Sequence, residues 1–448
     1  MTALKAAAAS VRITPPIGHR MGQWGLRQGR STGVYRHLYT RAIVLDDGET
    51  QLAIVTMDVV GISHDVLTAI RGHVQLLTGI SADRLLVSST HNHTTPDQLR
   101  AVPPELGHYA SILAESVGGA VYEAINRLEP ARLGFGWGNL AGWTVNRQYP
   151  SQPVDTSVGV LRIDSAAGRP IARVVNYACH GVCDGGQYLE WSGDMPGAMS
   201  ATLEEWYPGS VALFLQGAAG DIHPFDWWFG NWESKHLHTH EDTDILGRTL
   251  AAEAARIAEG CATEHTVRLA GASGTVALPR RQVNWTVAQA QALHTKLTAD
   301  LGPYHGDTWP AGTTTAIAAL RFPQLYGSGA NELLLAQNQG QPPVTAELQA
   351  MRIGDLLISG SPGELYNELG QRLKQQVNSA TTWVASFCNN YVGYISTRQP
   401  HTEIAQVPLD EIVDQNRYRR FYGTTTSPFA PEAGELLVDA AAKLLKTL

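Results

Sequence analysis

The chain has 448 residues, 44% of them hydrophobic and 17% charged, so it is long and apolar enough to bury a large core. A net charge of -8 and a pI near 6.0, with no run of Lys or Arg, argue against a nucleic-acid partner. The sequence contains no apolar segment of 18 residues, so we expect no membrane span, and the start lacks a signal-peptide core, which favours a cytoplasmic protein.

Apolar strands alternate with helical patterns in the first part of the chain. In order, the patterns predict a hairpin over 41–58 turning at Asp47-Gly48, a helix over 65–77, a strand over 84–90, a strand over 171–177, a helix over 198–206, a strand over 211–215 and a helix over 243–258. Strand, helix and strand in succession predict an α/β fold with a mixed, largely parallel sheet flanked by helices.

The second part contains a less regular segment. A helix is predicted over 287–301, and the Gly-, Pro-, Thr- and Gln-rich stretch 302–343 is interpreted as a linker or an active-site cover. Beyond it the patterns predict a hairpin over 348–360, a helix opened by Glu364 and running to about 375, a strand over 383–388 and a helix from 432 to the end. Without an internal repeat, we expect a single domain over residues 1–448.

Polar residues stand at the ends of four predicted strands. They are Asp58, the pair His91 and His93, His180, and the pair Asp221 and His223. Carboxyl ends of parallel strands face one crevice, so these side chains are expected to converge, and neutral imidazole is a common zinc ligand. A lone histidine is more often a helix cap or a hydrogen-bonded core residue, and that alternative stays open here. Cys179 and Cys183 flank His180, but the CHGVC spacing is not a zinc-knuckle pattern.

Five motifs in order carry a family resemblance. THNHTTP, CHGVCDGG with SGDMPG, GDIHP, SPGELYNELGQRL and NNYVGYIST resemble the neutral (neutral/alkaline non-lysosomal) ceramidase family, zinc-dependent amidases that cleave the N-acyl bond of ceramide. The resemblance extends from about Thr14 to about Tyr422 and implies a zinc-hydrolase-like catalytic domain. The family's C-terminal immunoglobulin-like domain is not found, so we do not expect a secreted enzyme of lipid surfaces.

The resemblance implies a metal-ligand set. In the family, zinc is held by the first histidine of HxH, a later histidine, a glutamate in a PGE turn and a tyrosine, which here correspond to His91, His180, Glu364 and Tyr391, with Tyr394 as the alternative tyrosine. Nitrogen and oxygen ligands suit Zn²⁺. Taken alone, Glu364 would be interpreted as a first-turn helix carboxylate and Tyr391 as a packed aromatic residue.

Two further residues gain catalytic roles from the resemblance. His93 corresponds to a family residue beside the metal-bound water, where an imidazole can transfer protons or stabilise an oxyanion. Arg147 in TVNRQYP corresponds to an arginine that points into the site, where a guanidinium orients a carbonyl or a carboxylate of the substrate. The alternative for Arg147 is a surface residue in a polar loop.

At several positions the sequence carries a different residue from the ceramidase motifs, and these differences are expected to affect which substrate binds. His223 stands where ceramidases carry a serine and is a candidate catalytic residue, Asp97 replaces a glycine, and His401 stands near a family tyrosine. The insert over 225–240 supplies Trp227 and Trp228, whose indoles suit stacking on a ring or sugar face but equally suit lid packing. We expect Asp97, Trp227, Trp228 and His401 to contact the substrate.

These observations predict a zinc hydrolase that cleaves an amide of a small polar substrate rather than ceramide. An ester or lactone needs the same apparatus. Other hypotheses are a zinc enzyme that eliminates or isomerises a sugar or cyclitol and, with less support, a non-catalytic metal-binding protein. The expected substrate is uncharged or mildly anionic, and the composition is compatible with a homo-oligomer.

Overall fold

The computed structural model describes residues 3–21, 29–96, 107–186, 188–224, 239–299, 330–377, 380–412 and 415–448. Their helices are α1 His64–Thr78, α2 Gly107–Asn126, α3 Asp194–Trp206, α4 His240–Gly260, α5 Val287–Ala299, α6 Ala330–Gln337, α7 Asn367–Val377, α8 Arg398–Ile404, α9 Leu409–Ile412, α10 Gln415–Thr426 and α11 Ala433–Leu445. Their strands are β1 Lys5–Arg12, β2 Arg20–Met21, β3 Gly29–Arg30, β4 Gly33–Val34, β5 Tyr39–Asp46, β6 Gln51–Met57, β7 Leu85–Ser89, β8 Glu129–Asn139, β9 Thr144–Asn146, β10 Ser157–Ser165, β11 Pro170–Tyr177, β12 Glu190–Trp191, β13 Val211–Gln216, β14 Ile222–Pro224, β15 Leu269–Leu278, β16 Val344–Ile353, β17 Leu356–Gly360, β18 Glu364–Leu365, β19 Thr382–Ala385 and β20 Tyr394–Ile395.

A large mixed sheet organises the described residues. Its strand order is β13-β11-β10-β8-β1-β5-β6-β7. The pairs at the two ends, β11 with β13 and β6 with β7, are parallel, whereas every pair between them is antiparallel. The predicted α/β architecture with a mixed sheet and flanking helices is therefore confirmed. The expectation of a largely parallel sheet is wrong, because only the two end pairs are parallel and strands such as β5–β6 and β10–β11 are joined by tight hairpins.

A second sheet packs against the first. Strands β15-β16-β17-β19 form it, and their inward residues Ile358 and Trp383 share one apolar core with Ile43 and Leu161 of the large sheet. The opposite face of the large sheet is covered by α1 and α2 at one end and by α3 and α4 at the other. Helices α7 and α11 cover the outer face of the second sheet. The result is a layered arrangement of helices, two sheets and helices.

The segment after β19 brings the two edges of the large sheet together. The Ser386 backbone N–H donates to the Gln216 carbonyl of β13 at 2.8 Å, and the Ser89 N–H of β7 donates to the Phe387 carbonyl at 3.1 Å. Because one short segment pairs with both edge strands, the C-terminal ends of β7 and β13 lie side by side. The loops that follow these strands, and the loop after β11 beside β13, therefore meet in one place.

Most predicted elements occur within a few residues of their expected bounds. Helix α3 starts at Asp194, earlier than expected, and β19 ends at Ala385. The prediction that Glu364 opens a helix is wrong, because Glu364 lies in β18, which pairs with β20 in parallel, and α7 begins at Asn367. Helix α6 occupies part of the stretch 302–343 that was expected to be irregular, whereas 302–329 lies outside the described residues. Among the helices described, none is both long enough and apolar enough to cross a bilayer.

Candidate metal centre and active site

Three histidines converge where the strand ends meet. The Nε2 atoms of His91 and His180 lie 3.0 Å apart, and His93 Nε2 lies 3.3 Å from His91 Nε2. His91 and His180 are buried and His93 is half-buried. The three residues place one ring nitrogen each within 4.8 Å of the others, an arrangement that could hold a metal ion.

The outer nitrogens of His91 and His180 fix their tautomers. His91 Nδ1 lies 2.6 Å from the Val60 carbonyl, and His180 Nδ1 lies 3.0 Å from the Ala219 carbonyl. A carbonyl only accepts, so both Nδ1 atoms carry the proton and both Nε2 lone pairs point at each other. Burial, with the neighbouring His91, lowers the pKa of His180 to about 3, so protonation does not relieve this contact at neutral pH. Two facing lone pairs in a buried site fit a shared cation.

Glu364 adds an anionic oxygen to this donor set. Its Oε2 lies 3.4 Å from His91 Nε2 and 3.7 Å from His180 Nε2, and it is buried without a hydrogen-bond partner among the described residues. Burial favours the neutral acid, but its polar neighbours, which include a hydrogen bond from the Tyr391 hydroxyl to Oε1, lower the pKa of Glu364, so it is a carboxylate at neutral pH. The orphaned carboxylate oxygen fits a metal of the zinc class.

Of the two candidate tyrosines, Tyr391 is the one that reaches Glu364. The pairing of β18 with β20 sets Glu364 opposite Tyr394, but the Tyr394 ring packs against Arg147, 5.2 Å from its guanidinium carbon. Tyr391, in the loop before β20, directs its hydroxyl to Glu364 Oε1.

The backbone at His91 has an unusual conformation, and the His91 ring stacks on a second residue with the same feature. His91 has φ +61°, and Phe387, whose ring stacks on His91 at 3.8 Å, has φ +56°, both in the left-handed region that few non-glycine residues adopt. A hydrogen bond from the His91 N–H to the Val59 carbonyl holds this turn. Phe387 was not predicted as a site residue, because it falls inside the strand predicted over 383–388, whereas β19 ends at Ala385 and Phe387 lies two residues beyond it.

Two glycines allow the loops to approach. A Cβ on Gly181 would lie 2.6 Å from the His91 carbonyl oxygen, and a Cβ on Gly220 would lie 2.4 Å from the Glu364 carbonyl oxygen. Both clashes are with backbone atoms, so any side chain would push the ligand-bearing loops apart.

Arg147 and His223 form a pair beside the histidines. Strand β9 pairs with β14 so that His223 lies opposite Val145, and Arg147 follows β9 directly. Arg147 Nη1 donates to His223 Nε2 at 2.9 Å. Arg147 Nη2 donates to the Gly220 carbonyl at 3.0 Å. The His223 ring stacks on that of His180 with centroids 4.9 Å apart. Arg147 is buried rather than a surface arginine, and it lies one ring away from His180.

Other predicted residues have different partners. Asp58 is buried in an ion pair with Arg41 at 3.0 Å, and Asp221 accepts hydrogen bonds from the Asn146 side chain and the Asn367 N–H, so both are structural. His401 bonds to Ser396 at 2.8 Å rather than to a site histidine. The two cysteines beside His180 lie in the core under α3 and α4. Asp97, Trp227 and Trp228 lie outside the described residues.

His240 anchors the loop that follows His180. Its Nδ1 lies 2.8 Å from Asp184 Oδ1 and its Nε2 lies 3.3 Å from Glu190 Oε2, while its ring stacks between those of Tyr35 and Tyr188, each 3.8 Å away. Only the imidazolium can donate to both carboxylates. Burial disfavours that cation, but the two carboxylates outweigh burial and raise the pKa of His240.

This raised pKa predicts a pH-dependent contribution to stability. The contribution of His240 is fully present below the unfolded pKa of about 6.5 and is lost as pH rises through the higher folded pKa. We expect His240→Gln to lower the melting temperature more at pH 6 than at pH 9, as measured by circular dichroism. Equal losses at the two pH values would contradict an imidazolium at this position.

Comparisons with known proteins agree with the motif resemblance. Residues 11–226 match the family model described as neutral/alkaline non-lysosomal ceramidase, N-terminal. Neutral ceramidase A of Dictyostelium discoideum is 25% identical over 225 residues, which are 43% of this chain, and the match spans 32% of that relative's length.

Solved structures share the fold. The crystal structure of a neutral ceramidase from Pseudomonas aeruginosa aligns with all of this chain and with 75% of the Pseudomonas chain, at 19% identity and a TM-score of 0.73. A ceramidase complexed with C2 aligns similarly, with 19% identity, a TM-score of 0.72 and 76% of its chain covered. The predicted family resemblance is confirmed, and the fold is shared.

Proposed function

Because the chain is related to the neutral ceramidase family, we propose that it is a zinc-dependent hydrolase that cleaves an amide bond of a small polar substrate other than ceramide. The observation that carries the proposal is the buried donor set, in which two imidazole lone pairs and one unpartnered carboxylate oxygen face a common point. Cysteine-rich sets are typical of structural zinc, whereas histidine and carboxylate ligands are typical of catalytic zinc.

His91, His180, Glu364 and Tyr391 would hold the zinc. When bound, zinc supplies Lewis acidity that polarises a scissile carbonyl and makes water more acidic. The protein contributes the rest of the arrangement: the Val60 and Ala219 carbonyls keep His91 and His180 in the ligating tautomer.

The remaining residues act on the substrate. His93 is half-buried with Nε2 3.3 Å from His91 Nε2, close enough to take a proton from the attacking water and return it to the leaving nitrogen as the C–N bond breaks. The same position would also allow His93 to serve as a further ligand. Arg147, held by His223, orients the substrate through its remaining donors.

The kind of substrate and the cellular location are proposed from the composition of the chain and from the positions where it differs from the ceramidase motifs. The charge of Asp97 where ceramidases have glycine argues against a lipid. We therefore propose a soluble small-molecule substrate and a cytoplasmic location, with neither a nucleic acid nor a membrane as partner, and a homo-oligomer remains compatible with the sequence.

A combined metal and substrate assay tests the proposal. Purified protein is expected to contain near-stoichiometric zinc by elemental analysis, and to release a carboxylate from N-acyl amino acids or N-acyl amino sugars in a screen that includes esters, lactones and short-chain ceramide. In H₂¹⁸O, hydrolysis places one ¹⁸O in the released acid. Activity confined to esters or lactones would overturn the amide assignment, and a product without ¹⁸O would overturn hydrolysis.

A further inference from the structure

The charge of Arg147 is not matched by a carboxylate. Its side chain is 2% exposed, yet no carboxylate lies within ion-pair distance of it among the described residues. Two other arginines buried as deeply are matched, Arg41 by Asp58 at 3.0 Å and Arg173 by Asp164 at 3.0 Å. The slightly more exposed Arg281 donates instead to the Thr424 and Thr425 carbonyls. Burying an ion without an opposite charge is unfavourable, so Arg147, which lies beside the candidate metal centre, is a candidate for binding an anion.

The groups in direct contact with Arg147 are polar or aromatic, and none of those described is a carboxylate. Its Nη atoms donate to neutral acceptors, His223 Nε2 and the Gly220 carbonyl, and its Nε is buried without an acceptor among the described residues. The rings of Tyr394 and Tyr422 lie 5.2 Å and 5.6 Å from the guanidinium carbon.

Nearby carboxylates are engaged elsewhere. Asp221 gives its backbone carbonyl to the Arg147 N–H, but its side-chain oxygens accept from Asn146 and Asn367. Glu364 faces His91 and His180 and is bonded by Tyr391. The guanidinium therefore keeps donors and a positive charge for a group that enters the site from outside.

We propose that Arg147 binds a carboxylate of the substrate, which makes the substrate an N-acyl amino acid. The inference rests on the proposed amide hydrolysis and narrows it. His223 separates Arg147 from His180 by one stacked ring, so the guanidinium lies beside the metal centre. In an N-acyl amino acid only the amide nitrogen and Cα separate the scissile carbonyl from the carboxylate carbon. One compact molecule can thus present its carbonyl to the metal centre and its carboxylate to Arg147.

Matched substrate pairs test this inference on the zinc-loaded enzyme. The probes are N-acetylglycine, N-acetylleucine and N-acetylphenylalanine, each compared with its C-terminal carboxamide by acetate release. For the preferred side chain we expect kcat/KM to be roughly tenfold to a hundredfold higher for the carboxylate, as for a charge-assisted hydrogen bond. Arg147→Met is expected to bring this ratio close to one, and Arg147→Lys, which keeps the charge without the planar fork, to retain part of it.

One control variant and three possible results distinguish carboxylate recognition by Arg147 from amide hydrolysis. Arg127→Met removes an arginine whose side chain is 65% exposed and should leave the ratio unchanged. A wild-type ratio near one, or a high ratio that persists in Arg147→Met, overturns carboxylate recognition while amide hydrolysis stands. If no probe is hydrolysed but calorimetry shows that the carboxylates bind wild type more tightly than their carboxamides, and Arg147→Met abolishes this difference, amide hydrolysis falls and carboxylate recognition stands.

Discussion

Replacing His180 by alanine is expected to remove the zinc proposed for this site and to abolish the proposed hydrolysis while the fold remains. The His180 ring provides one of two facing lone pairs, and its Nδ1–H is already held by the Ala219 carbonyl. Altering an outer partner of a metal ligand costs roughly 10- to 100-fold in metal affinity or activity, and removing the ligand itself should cost more. Zinc content by elemental analysis and kcat/KM on the best screened substrate measure both effects.

An exposed histidine provides the matched control for this experiment. His108, exposed near the start of α2, can be changed to alanine, and this variant should keep its zinc and its activity. Circular dichroism of both variants shows whether the fold is retained. Stoichiometric zinc in a folded His180→Ala protein would remove His180 from the ligand set and would leave His91, His93 and Glu364 as the residues to test next.

The convergence of the site histidines could be predicted because these residues follow strands. His91 and His180 both come directly after runs of buried apolar residues, and such strand ends were expected to meet. The way they meet is not that of neighbouring parallel strands. Strands β7 and β13 are opposite edges of a mixed sheet, and residues after β19 join them through backbone hydrogen bonds.

The sequence does not indicate which strands far apart in the chain pair with each other. Strand β1 is alanine-rich and lacks the apolar alternation that indicates a strand, so it owes its conformation to its neighbours in the sheet. In β8, Leu133, Phe135 and Trp137 do alternate, but glycines stand between them, and glycine is depleted in strands. Glu364 looked like the start of a helix because helical spacing follows it, but its pairing with β20 extends the backbone there. The contact between Arg147 and His223 depends on the pairing of β9 with β14, which no local pattern indicates.

Gly181→Ala is expected to damage the metal centre although no ligand is changed. The added Cβ would lie 2.6 Å from the His91 carbonyl oxygen, and 2.7 Å from the Asn92 Cα, where only backbone can give way. The loop also pairs with the His91 loop through the Asn92–Gly181 bridge and the hydrogen bond from the His93 N–H to the Gly181 carbonyl, 2.9 Å long. Overpacking of this kind costs about 1–3 kcal/mol of unfolding free energy, and relaxation of the clash moves His91 away from His180.

A glycine in open surroundings isolates this steric effect. Gly119 lies in α2, and a Cβ added there would have nothing within 4 Å, so Gly119→Ala should raise the unfolding free energy by roughly 0.5–1 kcal/mol through helix propensity. Urea unfolding and zinc titration of the two variants compare the sites directly. Gly181→Ala should lose both stability and zinc affinity, and Gly119→Ala neither. If Gly181→Ala kept wild-type zinc affinity, close approach of the two loops would not be what sets the distance between His91 and His180.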